Sequence, residues 1–176
     1  SKVDGFGRGE RPEGRRPIRV AGLREGMVRL AGGEADGAII NWLSRDDVRT
    51  VTKVVHDSAT KAGHDPSTKE IVARIFVCPS ENTEVVRAGA RYAIAAYLNV
   101  PVYAEFHRWL GRGDALQGMW DAWKSGDRKA ALAAIPDSVV DDLVVHGSPE
   151  ACRAKINEYF ANGVNTSSLA ILQFDP

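Results

Sequence analysis

The sequence has no excess of either charge. Lysine plus arginine and aspartate plus glutamate number 23 each, so the formal net charge is zero. That balance leaves no basic footprint for nucleic acid and no long-range attraction to an anionic membrane. Long apolar runs are missing too: Asp36, Arg87 and Asn99 interrupt them well before the roughly 18 residues a membrane span needs. The opening Ser-Lys-Val-Asp-Gly-Phe-Gly lacks the apolar segment of a secretory signal. Cysteine is scarce. Cys78 and Cys152 form no CxxC and read as buried, reduced thiols, which gives a cytoplasmic expectation. Without HExxH, a cysteine cluster or EF-hand spacing, no metal is expected. The nucleophile elbow of serine hydrolases and the Walker phosphate loop are absent as well.

What is present is alternation. The 176 residues (19.1 kDa), 44% apolar and 26% charged, suffice for one folded domain. Residues 1–17 scatter glycine and arginine without an apolar period and read as a loop or tail. The remainder, 18–176, reads as α/β. Residues 18–22 are a short β-type run. Met27, Leu30 and Ala31 follow at helical spacing, stopped by Gly32-Gly33, and Ala38, Ile39 and Ile40 form a second run ending at Asn41-Trp42. Two strands so close, joined by one helix, specify a right-handed β-α-β unit.

Ser44 predicts a helix cap, with Asp47 as its capping-box acid and Val48, Val51, Val55 and Ala59 as the buried stripe. Residues 71–77 make the strongest strand, and a helix capped by Ser80 carries Val86, Ala90, Ala93, Ile94, Tyr97 and Leu98. From about 101 to 145 the period stays helical. This segment holds Trp109, Trp120 and Trp123. About ninety residues separate Val77 from Leu169, whereas a crossover helix needs roughly a dozen, so the segment reads as an insertion. Ser148-Pro149-Glu150 opens a last helix with Cys152, Ile156, Tyr159 and Phe160 on its apolar face, and residues 169–172 are a fourth strand. Near-continuous apolar strands alternating with helices specify a parallel sheet covered by helices. Four β-α units are half of what a TIM (β/α)8 barrel needs. Its two edges call for another chain or a second copy, so a homo-oligomer is expected.

Three segments carry a resemblance: residues 17–23 (Pro-Ile-Arg-Val-Ala-Gly-Leu), residues 30–42 (Leu-Ala-Gly-Gly-Glu-Ala-Asp-Gly-Ala-Ile-Ile-Asn-Trp) and residues 146–150 (His-Gly-Ser-Pro-Glu). In this order and spacing they resemble the second half of the bacterial-luciferase-like monooxygenase family, in particular its branch that uses the deazaflavin coenzyme F420. The resemblance runs from about Ile18 to Leu172 and corresponds to the last four strands of that family's barrel. It implies half a TIM barrel with a helical insertion between the third and fourth strands. It also implies F420 as cofactor, or alternatively FMN, hydride transfer with a small organic substrate, and a missing N-terminal half-barrel as partner. A deazaflavin lacks N5 and does not activate oxygen, so F420 implies a dehydrogenase or reductase. The abrupt loop start fits a fragment of a protein about twice as long.

Residues 22–26 (Gly-Leu-Arg-Glu-Gly) lie between the first strand and its helix. A glycine turn opening a helix aims free N–H groups and the positive dipole end at one point, which suits an anion; equally, both glycines permit a tight connection. The resemblance implies that Gly22, Leu23, Arg24 and Gly26 hold the cofactor's phosphate, with Glu25 a departure that must point away. Asn41 and Trp42 stand at the carboxyl end of the second strand, where parallel α/β folds bind ligands. The resemblance places both beside the cofactor ring; the alternative is a tryptophan that merely covers the barrel mouth.

Within the insertion, His107 and Arg108 could reach into a roofed pocket, whereas an aromatic stripe at helical spacing also makes core or a subunit contact. His107 is the one catalytic candidate the residues offer, and the catalytic set is otherwise unknown. Asp46-Asp47 and Asp141-Asp142 read as helix-start acids that compensate dipoles. A reading from another class is a non-catalytic half-barrel module that dimerises through its tryptophan-rich helices.

Overall fold

The structure, a computed structural model, describes residues 16–174, so the reading of residues 1–17 as a tail falls almost wholly outside it. Five strands form one parallel sheet: β1 (Arg19–Ala21), β2 (Gly37–Asn41), β3 (Glu70–Cys78), β4 (Val144–His146) and β5 (Thr166–Ile171). β1 pairs with β2, and β2 pairs with the first half of β3. Phe76 and Val77 pair with Val144 and Val145 of β4 and also with Ala170 and Ile171 of β5. A strand residue has one neighbour per side, so β5 runs along one edge of β3 while β4 follows β2 along the other. β3 is the hub.

Eight α-helices accompany the sheet among the described residues: α1 (Glu25–Glu34), α2 (Arg45–Lys61), α3 (Thr83–Leu98), α4 (Pro101–Trp109), α5 (Gly113–Lys124), α6 (Arg128–Ala133), α7 (Asp137–Leu143) and α8 (Pro149–Ala161). Side chains alternate across the pleat, and the two faces of β3 enter different cores. Ile71, Ala73, Ile75 and Val77 pack with Val28 and Ala31 of α1, Val48, Val51 and Val55 of α2, and Cys152 and Tyr159 of α8. Phe76 and Cys78, on the other face, join Trp42, Val144 and residues of α3, α5 and α7 such as Ile94, Met119 and Val140. The part of this face toward the strands' amino ends stays open, with Ile39, Arg74, Thr166 and Ser168 exposed.

Several local expectations need correction. Gly32-Gly33 does not stop α1, which continues to Glu34. Gly32 is instead where α1 touches α2: a Cβ there would lie 2.3 Å from the carbonyl oxygen of Val55. The buried face of α1 is Val28, Ala31 and Gly32, one step round from the predicted stripe, and Met27 and Leu30 are exposed. Residues 144–146, expected to belong to the insertion or to precede a cap, make the short strand β4, because the β-branched pair Val144-Val145 can extend beside Phe76 and Val77. The last strand starts at Thr166 rather than Leu169.

Asp141-Asp142 occupies the last turn of α7, the wrong end for dipole compensation; Arg87 and Arg112 balance it instead. The Ser44 capping box forms as expected. Ser44 Oγ accepts from the Asp47 N–H (3.2 Å) and Asp47 Oδ2 accepts from the Ser44 N–H (2.7 Å). Among the described residues no helix is long and apolar enough to cross a membrane, and no group of three or more His, Cys, Asp or Glu side chains is placed to hold a metal ion.

Candidate functional site

All five strands are parallel, so their carboxyl ends share one rim of the sheet, and the turns after β1 and β2 open there side by side. In the first turn the Gly22 N–H donates to the Ile39 carbonyl (2.9 Å), which keeps the chain tied to β2 as it leaves β1. A Cβ on Gly22 would lie 3.0 Å from Val28 Cγ2, so glycine lets α1 close tightly over the strand end. Arg24 is the extended N-cap of α1 and makes no side-chain cap bond. The first-turn N–H groups and the positive dipole end therefore meet no capping oxygen from it. Glu25 pairs with Arg29 one turn along the helix, which directs its charge along α1. The space a Cβ on Gly26 would enter is empty to 4 Å. This arrangement fits a phosphate group.

The second turn is more crowded. Asn41 Nδ2 donates to the Tyr103 hydroxyl (3.3 Å), while its buried Oδ1 has no partner. Trp42 is wholly buried and, among the described residues, is the one non-glycine with a left-handed backbone (φ 52°). Such a conformation costs on the order of 1–3 kcal/mol and persists only where its surroundings hold it. Its indole lies flat on Phe76 (centroids 3.8 Å apart, 20° between planes). Tyr97 packs at 5.1 Å, and Tyr97 meets Tyr103 edge-on at 5.7 Å. Trp42 thus builds the wall behind Asn41.

Buried polar contacts fasten the same turn from below. The Tyr159 hydroxyl donates to the Leu43 carbonyl (3.1 Å), and burial raises its pKa, so it remains a donor. Arg112, from the short link between α4 and α5, reaches Asp47 (2.7 Å) and Asp142 (3.4 Å), and its N–H donates to the His107 carbonyl (2.8 Å). His107 is fully enclosed. Burial and the neighbouring Arg112 charge lower its pKa to about 3, so its imidazole is neutral. His146, at the end of β4, bonds to Asp141 (3.0 Å), whose pKa is lowered first by the hydrogen bond from Arg87. A cleft of about 310 Å³ opens at the carboxyl ends of β3 and β5, lined among others by Cys78, Ser80, Leu172 and Phe174.

Gly22 to Gly26, Asn41 and Trp42 thus share one rim, while His107 is fully buried on α4 and Arg108 stacks on Trp120 (4.2 Å) at the insertion's surface. Two residues escaped the sequence reading. Arg112 carried little signal, a charge between Gly111 and Gly113. Arg74 carried a clear one, a lone charge inside the most apolar strand.

A family model described as luciferase-like monooxygenase matches residues 3–166. The 5,10-methylenetetrahydromethanopterin reductase of Methanolobus tindarius is 29% identical over 154 residues, covering 84% of this chain and 46% of that protein. The reductase of the same name from Archaeoglobus fulgidus is 25% identical over 169 residues, 93% of this chain and 50% of its own. Among solved structures, the coenzyme F420-dependent tetrahydromethanopterin reductase of Methanopyrus kandleri superposes with a TM-score of 0.68 at 18% identity, covering 91% of this chain and 46% of that one. An F420-dependent secondary alcohol dehydrogenase gives 0.67 at 14% identity, with 92% and 44% coverage. The chain spans about half the length of the curated relatives it matches.

Proposed function

The chain belongs to the luciferase-like monooxygenase family, and from that premise we propose that it is the C-terminal half-barrel of an F420-dependent oxidoreductase acting on a small organic substrate in the cytoplasm. The observation that carries this reading is the shared rim: an uncapped helix start fit for phosphate beside a polar residue backed by an aromatic wall. Two solved structures of this fold are F420-dependent enzymes, which favours the deazaflavin over FMN. When bound, the deazaflavin supplies hydride chemistry at its C5.

The chain's own residues bind and orient. Gly22, Leu23, Arg24 and Gly26 would hold the phosphate through backbone N–H groups and the helix dipole. Asn41 would offer its unsatisfied amide to the ring edge. Trp42 and Phe76, both buried, exclude water behind it, which strengthens each polar contact at the rim. Completion of the barrel falls to an N-terminal half carried by a longer protein or by another chain.

Titrating the purified chain with F420 and, separately, with FMN while following cofactor fluorescence tests the proposal. Saturable change with F420 is expected, and Gly26→Glu should weaken it by about tenfold by placing a carboxylate at the phosphate. Saturation with FMN alone would reassign the cofactor. No change with either up to about millimolar concentration would remove the enzymatic reading.

A further inference from the structure

Arg74 is a charge in the middle of the hub strand. It stands on the face of β3 that carries Phe76, with its guanidinium 5.0 Å from that ring. Register puts Asn41 beside it on β2 and Ser168 beside it on β5, and partners across parallel strands point to one face. Three side chains with N–H or O–H donors thus occupy one level, that of the last residue of β2.

Five other arginines are matched to acids on other elements. Arg19 pairs with Glu70, Arg45 with Glu158, Arg87 with Asp141, Arg91 with Asp137, and Arg112 with Asp47. Arg74 is matched to no carboxylate among the described residues. Asn41 adds a second mismatch, its buried Oδ1 having no donor while Nδ2 meets the Tyr103 hydroxyl. In a closed barrel this face is the interior, where an unmatched guanidinium would be a desolvated, uncompensated charge. A counter-ion has to accompany closure. One guanidinium flanked by neutral donors suits a planar anion of single charge better than a phosphate dianion.

We propose that Arg74, with Asn41 and Ser168 on either side, is a subsite for a carboxylate group of the substrate. The inference rests on the hydride-transfer reading above and narrows its substrate class to carboxylate-bearing molecules. Arg74 is exposed in this chain, so its replacement leaves the fold intact.

The test is a titration of the 15N-labelled chain with sodium acetate and with acetamide at constant ionic strength. The Arg74 Nε–H resonance is followed together with the Asn41 and Ser168 amides. Acetate should move all three along one curve that saturates below about 50 mM, and acetamide should not. Arg74→Gln should weaken the response at the two amides about tenfold or more, and Arg74→Lys should keep part of it. Absence of saturation up to about 200 mM, an unchanged response in Arg74→Gln, or equal shifts at the acid-paired arginines would overturn the subsite. The F420 titration separates the two claims. Cofactor binding with a silent Arg74 removes the subsite alone. Saturation at Arg74 without cofactor binding removes the hydride-transfer reading and leaves a carboxylate site.

Discussion

Gly32 shows how one residue can invite the wrong inference. A glycine pair after an apolar stripe reads as a helix stop, yet its hydrogen side chain is needed where α1 and α2 touch. Gly32→Ala would gain helix propensity but drive a methyl to 2.3 Å from the Val55 carbonyl oxygen. A loss of about 1–3 kcal/mol is expected, measured as a lower urea midpoint. His107 makes a prediction of the opposite kind, about protons. Its pKa falls from 6.5 in the unfolded chain to about 3 on burial, so over that window the unfolded state binds a proton the folded state refuses. The contribution of a neutral His107 is complete above about pH 6.5 and drains as the pH drops, on the order of 1.4 kcal/mol per pH unit. His107→Phe should flatten the urea midpoint between pH 6.5 and about 4.5, above the range where Glu70 and Asp141 titrate. An identical slope in the variant would refute the assignment.

At the scale of elements, the ion pair between Arg112 and Asp47 ties the helical insertion to the cap of α2, and through that cap to the turn bearing Asn41 and Trp42. Both side chains are about nine-tenths buried, so removing one partner strands the other. Arg112→Met should cost about 3–5 kcal/mol in thermal or urea unfolding, and adding Asp47→Asn should recover part of it rather than sum with it. Strict additivity would show that the pair is not coupled.

None of this tie was legible in the sequence, because a buried pair 65 positions apart leaves no local trace. What was legible is what local physics decides. Apolar runs gave four of the five described strands, and Ser44-Asp47 and Ser148-Pro149 gave helix starts. The parallel alternation placed residues 22–26 and 41–42 on one rim. β4 escaped because three residues carry too little period, and Trp42 looked available because sequence does not display stacking on Phe76.

For the whole molecule, the decisive fact is that, among the described residues, β1 and β5 are outer strands with long apolar side chains beside their unpaired edges. Ile18, Leu169 and Ile171 are 63%, 48% and 63% exposed. Unpaired strands of this kind associate. The chain alone should show a mass above 19.1 kDa by light scattering at tens of micromolar, and Ile171→Lys should lower it toward that of one copy. A monomer at those concentrations would show the edges to be protected.

The central strand also governs the order of assembly. β3 joins β5 through residues more than ninety positions apart, Val72 with Thr166 and Val77 with Ile171, after an excursion through six helices. Closing so long a loop is entropically slow, whereas β1, α1 and β2 can gather early from neighbouring sequence. Refolding should therefore run in two tempos, with helix signals recovering ahead of the contacts that lock the last strand into place.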